Sequence, residues 1–187
     1  MKRNEMKRLA LSVAAVLLGL TGSLAATATP AAAATAPNTC WTVTDTSSNY
    51  EYKCEFGIFP LANTASGDQV KQAVFKTAIT HFSTYFPFSG CGSVLVVGNS
   101  CTLQPGNAPV KVDTIGDNYF ILKSLPGHPE GADRYIKFAF YILDNQLRLG
   151  VRAWGPPTYA AKATVSSGTA DAVWGQYAEN LYHIVYP

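Results

Sequence analysis

The sequence predicts an α+β fold, an antiparallel sheet with helices on one face and two local disulfides. Three observations carry that expectation. Residues 124–154 hold two alternating segments that meet at Asp144-Asn145, a dipeptide that tolerates the positive φ of a tight hairpin turn. Two stretches repeat apolar residues at helical spacing, one over 69–86 and one from Ala170 to Ile184. Four cysteines, Cys40, Cys54, Cys91 and Cys101, form an even set.

The first 36 residues are expected to be a secretory signal peptide and its cleavage region, and 37–187 a single secreted domain. Lys2, Arg3, Lys7 and Arg8 make a basic start, 9–20 is apolar, and an Ala/Thr-rich tract with small-x-small cleavage options follows. The apolar run is shorter than the roughly 20 residues a membrane span needs. Pro37-Asn38-Thr39 before Cys40 lacks the small residues of a lipoprotein signal.

The formal charge of +2 belongs to that segment, which holds four of the fourteen basic residues and one of the twelve acidic ones. The rest carries ten basic against eleven acidic residues, so no basic patch argues for nucleic acid. In an exported chain the cysteines point to disulfides. Of three connectivities, Cys40–Cys54 and Cys91–Cys101 are expected, each closing a short loop rich in turn residues. No pair has the C-x₂₋₄-C spacing of a zinc site, so neither metal nor cofactor is expected.

In chain order, the aromatic-rich start (Trp41, Tyr50, Tyr52, Phe56, Phe59) reads as two strands joined across 45–49. These rings are assigned to sheet and core packing. Ser66-Gly67-Asp68 offers a helix N-cap. Val70, Val74, Ala78, Phe82 and Phe86 then fall four apart, predicting a helix over 69–86 that ends before Pro87, with His81 on its solvated border. Strands are expected at 93–97, 110–115 and 118–124. In the hairpin that follows, Ile142 faces Leu147, Phe140 faces Leu149, Phe138 faces Val151 and Ile136 faces Ala153, leaving one face wholly apolar. Lys137, Tyr141, Arg148 and Arg152 take the other face, read as ordinary sheet decoration. Gly155-Pro156-Pro157 ends the sheet. Ser166-Ser167-Gly168-Thr169 opens the closing helix, with Ala170, Val173, Trp174, Tyr177, Leu181 and Ile184 at three and four.

Leu125-Pro126-Gly127-His128-Pro129-Glu130-Gly131, then Asp133, a strand, Val151-Arg152-Ala153-Trp154-Gly155-Pro156 and a last helix with Trp174 and Tyr177 resemble domain-of-unknown-function family 1990. The resemblance covers roughly 119–182. It departs where Gly131-Ala132-Asp133 replaces the family's Gly-Glu-Glu and Gly155-Pro156-Pro157 its Ser-Arg-Pro. It implies a helix-grip fold like that of the START and Bet v 1 group, in which a curved sheet clasps a long C-terminal helix around an apolar cavity. On that footing a small hydrophobic ligand is expected between sheet and helix, against Phe138, Phe140, Leu149, Val151, Trp174 and Tyr177.

The loop Gly127, His128, Pro129, Glu130 holds the only polar pair with a catalytic flavour. His-x-Glu could bind metal or move protons, but the Pro-Cys-x-x-Cys partner of zinc deaminases is absent. Prolines that set φ and glycines that allow positive φ equally describe a turn, and that structural reading is preferred. No nucleophile elbow or phosphate loop occurs, so no reaction is assigned. The expected partner is a small apolar ligand, for a monomeric chain with no membrane span. The alternative is a secreted interaction or inhibitor module acting through an extracellular protein, which would need an exposed apolar patch such as Tyr85-Phe86-Pro87-Phe88.

Overall fold

The computed structural model describes residues 39–61 and 67–186, so the expected signal peptide lies outside the described residues. Strands β1 (Thr39–Asp45) and β2 (Tyr50–Pro60) form the first hairpin. Helices α1 (Gly67–Thr80) and α2 (Phe82–Tyr85) follow. The meander β3 (Ser100–Leu103), β4 (Ala108–Ile115), β5 (Tyr119–Ser124), β6 (Tyr135–Leu143) and β7 (Gln146–Gly155) comes next, then α3 (Tyr159–Ser166) and α4 (Thr169–Tyr182). All strands join one antiparallel sheet ordered β1-β2-β7-β6-β5-β4-β3. The chain therefore crosses from β2 to the far edge through α1 and α2 and returns strand by strand.

The central hairpin has the predicted register, from Tyr135 opposite Trp154 to Ile142 opposite Leu147. Asp144 and Asn145 both take positive φ (51° and 55°), as a two-residue turn of this hand requires. Both local disulfides are present, Cys40–Cys54 across β1 and β2 and Cys91–Cys101 tying the preceding loop to β3. Register shifts within β1, β2 and β4 bend the sheet. On the outer face Arg152 makes a bidentate pair with Glu51 at 2.8 and 3.1 Å, and Lys137 lies over the Tyr119 ring.

Two local expectations fail and one helix is additional to them, each for a visible reason. The single helix over 69–86 is broken at His81. Thr80 Oγ1 bonds back to Lys76 O, and Phe82 N donates to Ser93 O instead of continuing the helical ladder. Residues 93–97 form no strand, although Val94, Val96 and Val97 are β-branched. Leu95 N donates to Ile79 O, so this loop closes the end of α1, and β3 takes the edge of β4 instead. Helix α3 was not foreseen. Thr158 Oγ1 accepts from Ala161 N and caps it, and the alanine-rich turn after Pro156-Pro157 sustains it.

The inner face of the sheet is built in rows that the register fixes. Phe56, Leu149 and Phe140 make one row, and Cys54, Val151, Phe138 and Phe120 the next. Then come Tyr52, Ala153, Ile136, Leu122 and Val112, and beyond them Tyr50 opposite Gly155, and Ser124 opposite Val110. Along β7 the inward residues shrink in order: Leu149, Val151, Ala153, Gly155. Helix α4 lies on β2 and β7 with Ala170, Trp174, Tyr177, Ala178 and Leu181 buried. The wide-residue end of the sheet is consequently filled, and the narrow-residue end is not.

Candidate ligand cavity

At that narrow end lies a cavity of about 280 Å³. Its floor is Tyr52, Ala153, Ile136, Leu122, Val110 and Phe138, all on the sheet. Trp174 of α4 and Ala160 and Thr164 of α3 form one wall. Leu103, Pro105, Gly106 and Ala108 of the β3–β4 turn form another, with Phe86 and Phe88 behind. His128, Pro129, Glu130 and Arg134 close the remaining side, with exposed Pro129, Pro105 and Gly106 at the rim.

Of the six residues the sequence marks for an apolar ligand, the structure brings Phe138 and Trp174 to this cavity. Phe140, Leu149, Val151 and Tyr177 do not line it. Phe140 packs on Phe75 of α1 with ring centroids 5.4 Å apart, and Tyr177 stands edge-on to Phe138 and Phe86 at 5.7 and 5.2 Å. Leu149 and Val151 are covered in the filled rows. The Tyr85-Phe86-Pro87-Phe88 stretch also turns inward. Phe86 stacks on Phe82, with centroids 4.2 Å apart, and Phe88 meets Trp174, so no exposed apolar patch forms there.

The loop of the family resemblance is part of the wall. His128 N donates to Leu125 O and Gly131 N to His128 O, two successive turns in which Gly127 and Gly131 take positive φ. Glu130 N donates to His128 Nδ1 (3.1 Å), which puts the neutral ring's proton on Nε2. Burial pushes the His128 pKa below its ordinary value, against the pull of Glu130. Thr164 Oγ1 donates to Glu130 Oε1 (2.7 Å), and Thr158 Oγ1 to the Glu130 carbonyl (2.8 Å), so α3 is tied to the loop.

Arg134, only 3% exposed, is the residue that sequence reasoning missed. Its guanidinium donates to the Pro156 carbonyl and, at 3.5 Å, to that of Tyr50. Its Nε faces Glu130 Oε2 at 3.8 Å, close enough for charge attraction but too long for a hydrogen bond. Its backbone N donates to Ser124 Oγ, which donates on to Gly131 O. Burial lowers its pKa, though a guanidinium stays charged at ordinary pH. Tyr52 packs in the sheet and also forms part of the cavity floor. Burial raises the pKa of its hydroxyl, while the nearby Trp174 indole opposes the shift. Yet Trp174 Nε1 has no hydrogen-bond partner of acceptable geometry, nor has Arg134 Nε.

The arrangement is an apolar hollow with one polar end. Among the described residues no cluster of His, Cys, Asp and Glu could hold a metal, and no helix is long and apolar enough to cross a membrane. No family model matches the chain, and no curated protein does. Solved structures do. Protein MLL2253 from Mesorhizobium loti aligns with a TM-score of 0.52 at 12% identity, covering 73% of this chain and 96% of that one. The chain has a helix-grip fold. CalU16 from Micromonospora echinospora (TM-score 0.47, 12% identity, 82% and 92% covered) and Ara h 8.0201 (0.46, 11%, 74% and 98%) are similar at lower scores. The likeness to MLL2253 speaks to fold alone; function must come from the cavity.

Proposed function

We propose that the protein is exported and binds a small, mainly apolar molecule in the cavity over Ala153. The carrying observation is the taper along β7, which leaves about 280 Å³ unfilled between the sheet, Trp174 and the His128–Glu130 loop. That volume is close to the low end of ordinary ligand pockets, roughly 300–1,000 Å³. The walls are mostly hydrocarbon and aromatic, and concave apolar sites with few polar groups are the usual form of a binding pocket. Export is supported by the basic-then-apolar start of the chain and by two disulfides with no free cysteine among the described residues. The Leu125–Gly131 loop, which gives the likeness to family 1990, is here assigned to the cavity wall. The role is binding, and no reaction is attached to it.

Native mass spectrometry of the mature protein after incubation with lipid extract tests the reading. Wild type is expected to retain a small guest that Ala153→Leu excludes. The substitution adds side-chain volume where space exists, so it is expected to cost no more than the roughly 1–3 kcal/mol of mild overpacking. Equal retention by both proteins, or by neither, contradicts the assignment.

A further inference from the structure

At the polar end of the cavity the buried donors are sealed and a carboxylate is open. Trp174 Nε1 and Arg134 Nε carry essentially no accessible surface, so neither is within reach of a guest. Ser124 Oγ is spent in both directions, taking from Arg134 N and giving to Gly131 O. Glu130 differs. Its side chain lines the cavity and keeps 24% of its surface exposed. Oε1 receives Thr164 Oγ1 at 2.7 Å, whereas Oε2 receives no hydrogen bond among the described residues, Arg134 Nε at 3.8 Å being too far. An ionised carboxylate has about four lone-pair sites, so most of its accepting capacity is unspent. Neighbouring His128 takes Glu130 N at Nδ1 and can only donate at Nε2.

Charge narrows the choice of guest. Arg134 and Glu130 are opposite and adjacent, so this end of the cavity is balanced before anything enters. A carboxylate guest would add a second negative charge beside Glu130, and an ammonium guest a second positive charge beside Arg134. Either surplus would stand against hydrocarbon walls, which is disfavoured. A neutral donor adds none, and its bond to a carboxylate is of the stronger, charge-assisted kind. At roughly 30 Å³ per liquid-packed group, as for water, the space takes about nine or ten non-hydrogen atoms.

Resting on the binding role proposed above, we infer that the ligand is a small apolar alcohol whose hydroxyl donates to Glu130 Oε2. Its hydrocarbon part lies over Ala153 and Ile136. Thr164 holds the other carboxylate oxygen from α3, which fixes the direction in which Oε2 is offered.

Three probes with one carbon skeleton and a different head separate the possibilities: 2-nonanol, 2-nonanone and 2-aminononane. Each is titrated into the full mature protein and followed by the Ile136 methyl resonances. The alcohol is expected to bind roughly tenfold tighter than the ketone, the low end of what a hydrogen bond to a charged group is worth. Glu130→Gln, whose amide still accepts from Thr164, is expected to narrow that ratio to about threefold or below. The wild-type ratio needs no variant, so it decides even where the substitution weakens the loop. Equal affinities of alcohol and ketone for wild type overturn the donor assignment while leaving an apolar cavity. A tenfold ratio that survives Glu130→Gln overturns the role of Glu130. Tightest binding by 2-aminononane, an ammonium at neutral pH, overturns the uncharged head. No binding by any probe overturns the binding role itself.

Discussion

Replacing Arg134 with methionine keeps the hydrocarbon stem and removes every contact of the head. The head donates to Pro156 O and Tyr50 O, faces Glu130 at 3.8 Å and lies 5.7 Å from the centre of the Tyr50 ring. A charged donor on a carbonyl is worth about 1.5–3 kcal/mol, and the 3.5 Å bond to Tyr50 counts for less than that. Glu130 would be left charged with Thr164 as its remaining side-chain hydrogen-bond partner. Breaking a buried charged pair from one side costs about 3–5 kcal/mol, and the same range is expected here. At about 2–4 °C per kcal/mol for a domain of this size, Tm falls by about 10 °C. Urea unfolding followed by circular dichroism should show a lower midpoint with unchanged slope. Adding Glu130→Gln to Arg134→Met is expected to recover about 1–2 kcal/mol, because the amide still accepts from Thr164 without a stranded charge. A loss below about 1 kcal/mol, or strict additivity of the two changes, would refute the claim that Arg134 ties the loop to the sheet end.

Other perturbations follow from the same geometry. Phe138→Ala removes a fully buried ring at the cavity floor and should cost about 3–5 kcal/mol in a chemical melt while admitting bulkier guests. Gly155→Ala should be strongly destabilising in thermal melts, since a Cβ there meets Arg134 Cα at 2.8 Å on a backbone with φ of 143°. Because burial lowers the His128 pKa from 6.5, its contribution to stability is present above pH 6.5 and is lost as pH falls through the depressed value. His128→Gln should therefore flatten the slope of Tm against pH below 6.5, and an unchanged slope would remove the buried ring as its cause. Cys91→Ser with Cys101→Ser opens a loop spanning ten residues and should lower stability by about 3 kcal/mol in the chain-entropy view.

The sheet was legible because alternation carries its own register. A one-residue slip would expose either Phe138 and Phe140 or Leu149 and Val151, so the hairpin pairing could be written from residues alone. The disulfides were legible from their short loops. The helix break at His81 was not, since it depends on Ser93 O, a partner 11 residues away. The loop at 93–97 misled for a related reason: its β-branched residues describe a preference, while its hydrogen bonds are claimed by the end of α1. Helix α3 carried a readable signal in Thr158 followed by alanines, masked by the two prolines before it.

The cavity was half legible. The apolar face and the loop contribute Phe138, His128, Pro129 and Glu130 to the cavity lining, whereas the largest residues, Phe140 and Leu149, fill space. The better signal was the descending series Leu149, Val151, Ala153, Gly155 along one face, since empty volume is expected where side chains are small. Arg134 carried no pattern of its own. Its burial follows from Gly155, whose missing side chain lets the two strand ends approach.

The claim on which the account stands is that the space over Ala153 accepts a guest. Titrating 2-nonanone while following the Ile136 methyl resonances of wild type and Ala153→Leu tests it directly. Saturable shifts are expected in the wild type and none in the folded variant. Weak, linear shifts of the same size in both would contradict it.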